Sequence, residues 1–176
     1  STRGEAMPAS VTGKPLSIGG TRGHAGATST GVLVNARLVF HELGLPFVGG
    51  RAVIQGFGKV GGPLAFLLAS AGMRVVAVAD VGGAVYNPGG LDAAALADHA
   101  ALTGSVHGFD GADTIDPERM WEIDCELCVP AALEEAITDD VAERLGCKVL
   151  VEAANGPTTT AADPVLARRR IVVVPD

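Results

Sequence analysis

Short runs of branched apolar residues alternate along this chain with longer stretches whose apolar residues recur at helical spacing. The runs are Arg51-Ala-Val-Ile-Gln55, Arg74-Val-Val-Ala-Val-Ala79, Cys125-Glu-Leu-Cys-Val129, Lys148-Val-Leu-Val151 and Ile171-Val-Val-Val174. Their length and their Val and Ile content fit strands buried on both faces. Between them, 60–71, 91–102, 137–145 and 161–168 read as amphipathic helices. A further helix is predicted over 27–43, where Val32, Leu33, Ala36, Val39, Phe40 and Leu43 recur at helical spacing and Gly44 provides a stop. Strands alternating with helices are βαβ units, which build a parallel sheet covered by helices on both faces. Right-handed crossovers then leave essentially one solution, an α/β fold with a doubly wound, mostly parallel sheet in a single domain. A closed barrel of such units needs about 250 residues, and this chain has 176. Residues 1–26, with Pro8 and Pro15, read as an irregular lead-in that packs on a domain formed by 27–176.

Open α/β sheets bind ligands beyond the carboxyl ends of their strands, so the loops there carry the chemistry. The first strand is followed by Gln55-Gly56-Phe57-Gly58-Lys59-Val60-Gly61, a G-x-G-x-x-G set between a strand and a helix. Gly56 permits the tight turn, Gly58 lets the backbone approach a diphosphate, and Gly61 allows the helix to pack closely on the strand. The helix N-terminus offers amide donors and the positive end of its dipole to the phosphates. No Gly-Lys-Ser/Thr follows, so this is not a nucleoside-triphosphate loop. The second strand ends on Asp80, 22 residues after Gly58, near the ~20-residue offset of an acid that binds an adenosine ribose. The motif in this context marks a Rossmann-like dinucleotide site. A carboxylate accepting ribose hydroxyls is worth about 1.5–3 kcal/mol, whereas against a 2′-phosphate it repels by about 4 kcal/mol per charge pair at ~4 Å and an effective dielectric of ~20. Val81-Gly82-Gly83 supplies no cation to offset that, so NAD is favoured over NADP. Small residues in Val129-Pro-Ala-Ala-Leu-Glu134 and Glu152-Ala-Ala-Asn-Gly-Pro-Thr-Thr159 leave room for a flat ligand, and Asn155 offers both a donor and an acceptor.

Composition narrows the partners. The chain is 48% hydrophobic, which excludes disorder, and its net charge of −7 with 4% aromatic residues argues against nucleic acid and anionic membrane surfaces. The stretch 60–79 has the length of a membrane span but is interrupted by Pro63, Gly72 and Arg74. Cys125, Cys128 and Cys147 are an odd number without a secretory signal, which favours a reducing, cytoplasmic setting. The Cys125-x-x-Cys128 pair lies inside an apolar run and reads as core rather than as a redox or zinc motif. His41, His99 and His107 show no metal-ligand spacing, so no metal site is expected. Arg168-Arg-Arg170 reads as helix C-terminal charge.

On these residues the chain resembles the cofactor-binding domain of glutamate dehydrogenases, within the glutamate/leucine/phenylalanine/valine dehydrogenase family. The resemblance rests on Thr12-Gly-Lys-Pro-Leu16, Gly19-Gly20, Ala27-Thr28, Ile54-Gln-Gly-Phe-Gly-Lys-Val-Gly61, Val76-Ala-Val-Ala-Asp80, Tyr86-Asn-Pro-Gly-Gly-Leu-Asp92, Val129-Pro-Ala-Ala-Leu-Glu134 and Glu152-Ala-Ala-Asn-Gly-Pro-Thr-Thr159. It implies that Thr28 lies near the nicotinamide amide and that Phe57, Gly58, Lys59 and Val60 line the diphosphate. It further implies that Asp80 holds the adenosine ribose, while Ala131, Ala132, Ala153 and Asn155 contact the nicotinamide riboside. His24 stands where many relatives carry Arg, with Arg22 close by.

The resemblance also implies NAD-linked oxidative deamination of L-glutamate to 2-oxoglutarate and ammonia by a longer protein, commonly a homo-hexamer. In that family the catalytic lysines and aspartate belong to a separate substrate domain. Lys14, Lys59 and Lys148, the three lysines here, lie outside that catalytic context. The expectation is therefore one domain of an enzyme about two and a half times longer by family resemblance, with no catalytic residue in this chain and no turnover by it alone. The alternatives are the corresponding domain of a leucine, phenylalanine or valine dehydrogenase, or a non-catalytic NAD-binding module.

Overall fold

The computed structural model describes residues 24–176. Thr12 to Leu16, Gly19-Gly20, Arg22, most of the expected lead-in and the side chain of His24 lie outside the described residues. From there the chain runs α1 (His24–Leu43), β1 (Arg51–Gln55), α2 (Gly61–Ser70), β2 (Arg74–Asp80), β3 (Gly83–Tyr86), α3 (Ala93–Thr103), β4 (Asp113–Ile115), a 3₁₀ turn (Pro117–Glu122), β5 (Cys125–Pro130), α4 (Asp139–Arg144), β6 (Cys147–Val151), α5 (Asp163–Arg168) and β7 (Val172–Val174). The strands form one seven-stranded sheet in the order β4-β3-β2-β1-β5-β6-β7. Parallel pairing joins β2 to β1, β1 to β5, β5 to β6 and β6 to β7. This is the doubly wound, mostly parallel, Rossmann-like sheet expected, with every predicted strand and helix present to within three residues at each end.

Two strands were not anticipated. β3 turns straight back antiparallel to β2 through Val81-Gly82, pairing Asp80 with Gly83, and β4 adds antiparallel to β3. Both are short: β3 is apolar and buried at Ala84 and Val85 but only four residues long, and Asp113 and Thr114 of β4 are exposed, so β4 lacks the apolar signal of the central strands. The Gly82-Gly83 pair beside Val81 was the hairpin signal that could have found them.

The sheet carries a core on each face. Val32, Ala36 and Phe40 of α1, Leu64 and Leu68 of α2 and Leu96 of α3 pack with Ala52, Ile54, Val75 and Val78 on one side. Val141 and Ala142 of α4, Val165 and Leu166 of α5 and Met120 and Trp121 of the 3₁₀ turn cover Val53, Val76 and Leu150 on the other. The register between β1 and β2 slips by one residue. Ala52 pairs with Val75 but Val53 pairs with Ala77, so Val76 is an extra residue and lies with Ala77 in the second layer. A bulge of this kind reverses the facing of all that follows. Val78 returns to the α1–α3 side, and so does the strand's last residue, Asp80, which lines a cleft with α2 and α3 residues.

Cys125 and Cys147 sit opposite each other in register, and all three cysteines are buried free thiols on strands, as a core reading requires. Burial pushes the Cys125 thiol well up, and a hydrogen bond with Cys147, then burial, does the same for Cys128. Glu126, between the two β5 cysteines, faces the sheet's other end. Burial works against its charge, but the Arg51 backbone N–H donated to Oε2 at 2.8 Å and Lys148 Nζ donated to Oε1 at 3.1 Å outweigh it, so its pKa is lowered. A group with a lowered folded pKa contributes stability that is complete above its unfolded pKa, ~4.3, and is lost as pH falls through the folded value. Glu126→Gln is therefore expected to cost about 1 kcal/mol at pH 7, a difference that shrinks as pH falls below about 4, read from urea unfolding across that range. Among the described residues no helix is long and apolar enough to cross a membrane.

Candidate functional site

β1 is flanked by β2 on one side and β5 on the other, with later strands continuing outward past each. Chains leaving β1 and β5 therefore part in opposite directions, and the crevice between their loops is where such a sheet binds. The glycine turn fills its floor. Gly56 leaves β1 at φ +103°, a conformation open to glycine, with its N–H on the Ala79 carbonyl at 2.7 Å. A Cβ there would lie 2.8 Å from the Ala132 methyl. Gly61 opens α2, and a Cβ on it would land on the Gly56 carbonyl oxygen. Gly58 differs from both: no atom lies within 4 Å of where its Cβ would sit, and it and Lys59 face outward. No side chain caps the head of α2; Gly62 donates its N–H to the Gly58 carbonyl at 3.1 Å and Pro63 has none, which leaves the Gly61 amide, of the helix's first three positions, to meet a ligand.

Ser29, which sequence reasoning did not single out, fixes this turn from behind. It is 1% exposed and donates its hydroxyl to the Val60 carbonyl at 2.8 Å, tying α1 to the start of α2. The signal was a serine sharing the buried face of Val32, Ala36 and Phe40.

The loops after β5 and β6 form the opposite wall. Ala131 donates to the Gln55 carbonyl at 2.7 Å, and Ala153 and Ala154 donate to that of Pro130 at 3.1 and 3.0 Å. Glu135 and Ile137 donate to Gly156 and Pro157, and Thr159 returns to Ile137, so the Asn-Gly-Pro-Thr-Thr segment is stapled to the loop after β5. A cleft of about 360 Å³ between these loops and the turn brings together Thr28, Val60, Ala131, Ala132, Ala153 and Asn155, with Glu134 and Ala154 beside them. Gln55 Oε1 and Thr158 Oγ1, buried acceptors at this end of the sheet, have no partner among the described residues.

A larger cleft, about 750 Å³, lies on the far side of the turn and contains Phe57 and Asp80. Its walls are Gly62, Pro63 and Phe66 of α2 and the alanines of α3. Asp80 is not a bare carboxylate. Oδ1 accepts from the Gly82 N–H and the Ser105 hydroxyl, both at 2.8 Å, and Oδ2 accepts from the Val106 N–H at 2.7 Å. The structure thus gathers Thr28, Val60 and the four wall residues into one cleft and Phe57 and Asp80 into the other. Gly56, Gly58, Lys59 and Gly61 form the turn between them. Among the described residues no group of three or more His, Cys, Asp or Glu side chains could hold a metal.

A family model described as Glutamate/Leucine/Phenylalanine/Valine dehydrogenase matches residues 19–176. The chain is 44% identical over 170 residues to the NADP-specific glutamate dehydrogenase A1 of Halobacterium salinarum, covering 96% of this chain and 41% of that protein. It is 41% identical over 169 residues to the cryptic catabolic NAD-specific glutamate dehydrogenase GudB of Bacillus subtilis, covering 96% and 39%. The hetero-hexameric glutamate dehydrogenase from Thermus thermophilus, in a leucine-bound crystal form, matches with TM-score 0.86 and 37% identity over 96% of this chain and 40% of that one. The chain spans about two-fifths of the length of the curated relatives it matches.

Proposed function

The chain belongs to the glutamate/leucine/phenylalanine/valine dehydrogenase family, and from that premise we propose that residues 27–176 are the cofactor-binding domain of an NAD-dependent dehydrogenase acting on L-glutamate. The observation that carries the reading is the open face of the glycine turn. Gly56 and Gly61 are closed in by backbone, while Gly58 has free space around it at the uncapped head of α2. A diphosphate fits that space, with amides and a helix dipole to receive its charge. In this reading Phe57, Gly58, Lys59 and Val60 line the diphosphate, Lys59 through its main chain. Asp80 takes the adenosine ribose in the larger cleft. Thr28, Ala131, Ala132, Ala153 and Asn155 form the walls for the nicotinamide riboside, the small side chains letting a flat ring approach the main chain.

When bound, the dinucleotide supplies the hydride acceptor for the amino-acid α-carbon. The role of these residues is to hold it with one ring face toward the crevice and to keep the other against protein. Acid–base groups that deprotonate the amine and hydrolyse the imine are assigned to the part of the longer protein outside this chain, and so are the glutamate contacts. Oligomeric assembly, a hexamer by family resemblance, is assigned to that longer protein as well. The relatives include both an NADP-specific and an NAD-specific enzyme; the preference for NAD rests on the carboxylate of Asp80.

Titration of the chain with NADH, followed by nucleotide fluorescence, tests this. Saturable binding is expected, with NADPH weaker by about tenfold or more, as a carboxylate facing a 2′-phosphate requires. Glutamate-dependent reduction of NAD is expected from the longer protein and not from this chain. Absence of binding for both nucleotides overturns the reading, and turnover by the chain alone overturns the assignment of the acid–base groups.

A further inference from the structure

Three donors converge on the two oxygens of Asp80, and they come from two loops. The Gly82 N–H belongs to the β2–β3 turn, while the Ser105 hydroxyl and the Val106 N–H belong to the segment after α3. The arrangement is built into both loops. Gly104 turns the chain out of α3 at φ +85°, and Ser105 Oγ also accepts the His107 N–H at 3.0 Å, which fixes its hydroxyl toward Asp80. A Cβ on Gly82 would land on Ser105 Oγ, so glycine there is a condition of the contact. Taken without the aspartate, two amides and a hydroxyl aimed at one point are what an anionic oxygen group binds. Here the chain's own carboxylate fills that cradle.

We infer that Ser105 is a specificity-determining residue of the dinucleotide site, pinning Asp80 when the carboxylate is present and free to donate to a 2′-phosphate when it is not; this rests on the reading of that site given above. A carboxylate offers about four acceptor positions, and the protein uses three, two on Oδ1 and one on Oδ2. One position, on Oδ2, is left for a ribose hydroxyl. Discrimination against a 2′-phosphate then has two sources: the negative charge of Asp80, and the fact that Asp80 withholds donors a phosphate would otherwise take. Of the three donors only Ser105 contributes a side chain, so it is the one a substitution removes cleanly.

NADH and NADPH affinities are measured by fluorescence titration for the wild-type chain, Ser105→Ala, Asp80→Ala and the double variant, with thermal midpoints alongside. Asp80→Ala is expected to weaken NADH and tighten NADPH, narrowing the preference by about tenfold. Adding Ser105→Ala in that background should weaken NADPH by about tenfold or more, the worth of one hydrogen bond to a charged group, and leave NADH within about twofold. A loss confined to the phosphorylated nucleotide is not what a general loosening of the loop produces. Equal NADPH affinity with and without the hydroxyl overturns the inference. Should Asp80→Ala fail to fold, Ser105→Ala alone decides: NADH binding weakens about threefold as the carboxylate is unpinned, and unchanged NADH affinity overturns the role. A wild-type chain that binds neither nucleotide defeats the site itself. One that prefers NADH while ignoring the Ser105 hydroxyl defeats this inference alone.

Discussion

Gly61→Ala is expected to lower the stability of this chain by about 3 kcal/mol and its thermal midpoint by about 6–12 °C, and to abolish dinucleotide binding with it. The added carbon would overlap the Gly56 carbonyl oxygen, sit 2.8 Å from the Gly56 carbonyl carbon and 3.3 Å from Ile54 Cγ2. The first two are main-chain atoms in a turn already pinned at both ends, Gly56 by Ala79 and Val60 by Ser29. No rotamer change relieves the contact, so the whole head of α2 must withdraw. Leu64 and Leu68, both fully buried, are carried with it and lose packing against the sheet. Calorimetry together with NADH titration checks the result. A variant with wild-type stability would mean that α2 does not need this close approach to β1.

How much of this was legible beforehand follows from what each element depends on. β1, β2, β5 and β6 were visible because strands covered on both faces must be apolar throughout, and β7, at an edge and half-buried, through its run of valines. β4 is an edge strand whose Asp113-Thr114-Ile115 carries no such pattern, and β3, paired on both sides with Ala84 and Val85 buried, was missed because it is only four residues long. At the site, the glycine turn could be read because its demands are on the backbone: a positive φ at residue 56, a close approach at 61 and open space at 58. Asp80 could be placed by its offset from the turn. Its surroundings could not, since the bulge at Val76 that sets its facing and the Ser105 and Val106 donors that hold it arise only when β2 pairs with β1 and the end of α3 folds back 25 residues later. Ser29 was hidden for a related reason: a lone hydroxyl on an apolar helix face looks like tolerated core until the Val60 carbonyl that receives it is seen.

Gly58→Ala separates binding from folding and should do the opposite of Gly61→Ala. Gly58 is exposed, its φ lies outside the positive region reserved for glycine, and nothing stands within 4 Å of an added Cβ. Replacing such a glycine restricts the unfolded chain at no cost to the folded one, which stabilises by about 0.4–1 kcal/mol. The thermal midpoint should therefore hold or rise by a few degrees. Binding should fall by about a hundredfold, because the methyl occupies the volume assigned to the diphosphate and pushes it off the amides of the turn. Losing one or two charge-assisted hydrogen bonds, about 1.5–3 kcal/mol each, accounts for that factor. The deficit should be the same for NADH and NADPH, since both carry the same diphosphate and differ only at the ribose, in the other cleft. If Gly58→Ala folds as well as the wild type and binds NADH equally tightly, the space at the head of α2 is not where the phosphates lie. A loss that falls on one nucleotide alone would move the site of the substitution to the ribose end. An equal loss with an intact fold would assign the turn to the part of the cofactor that both share.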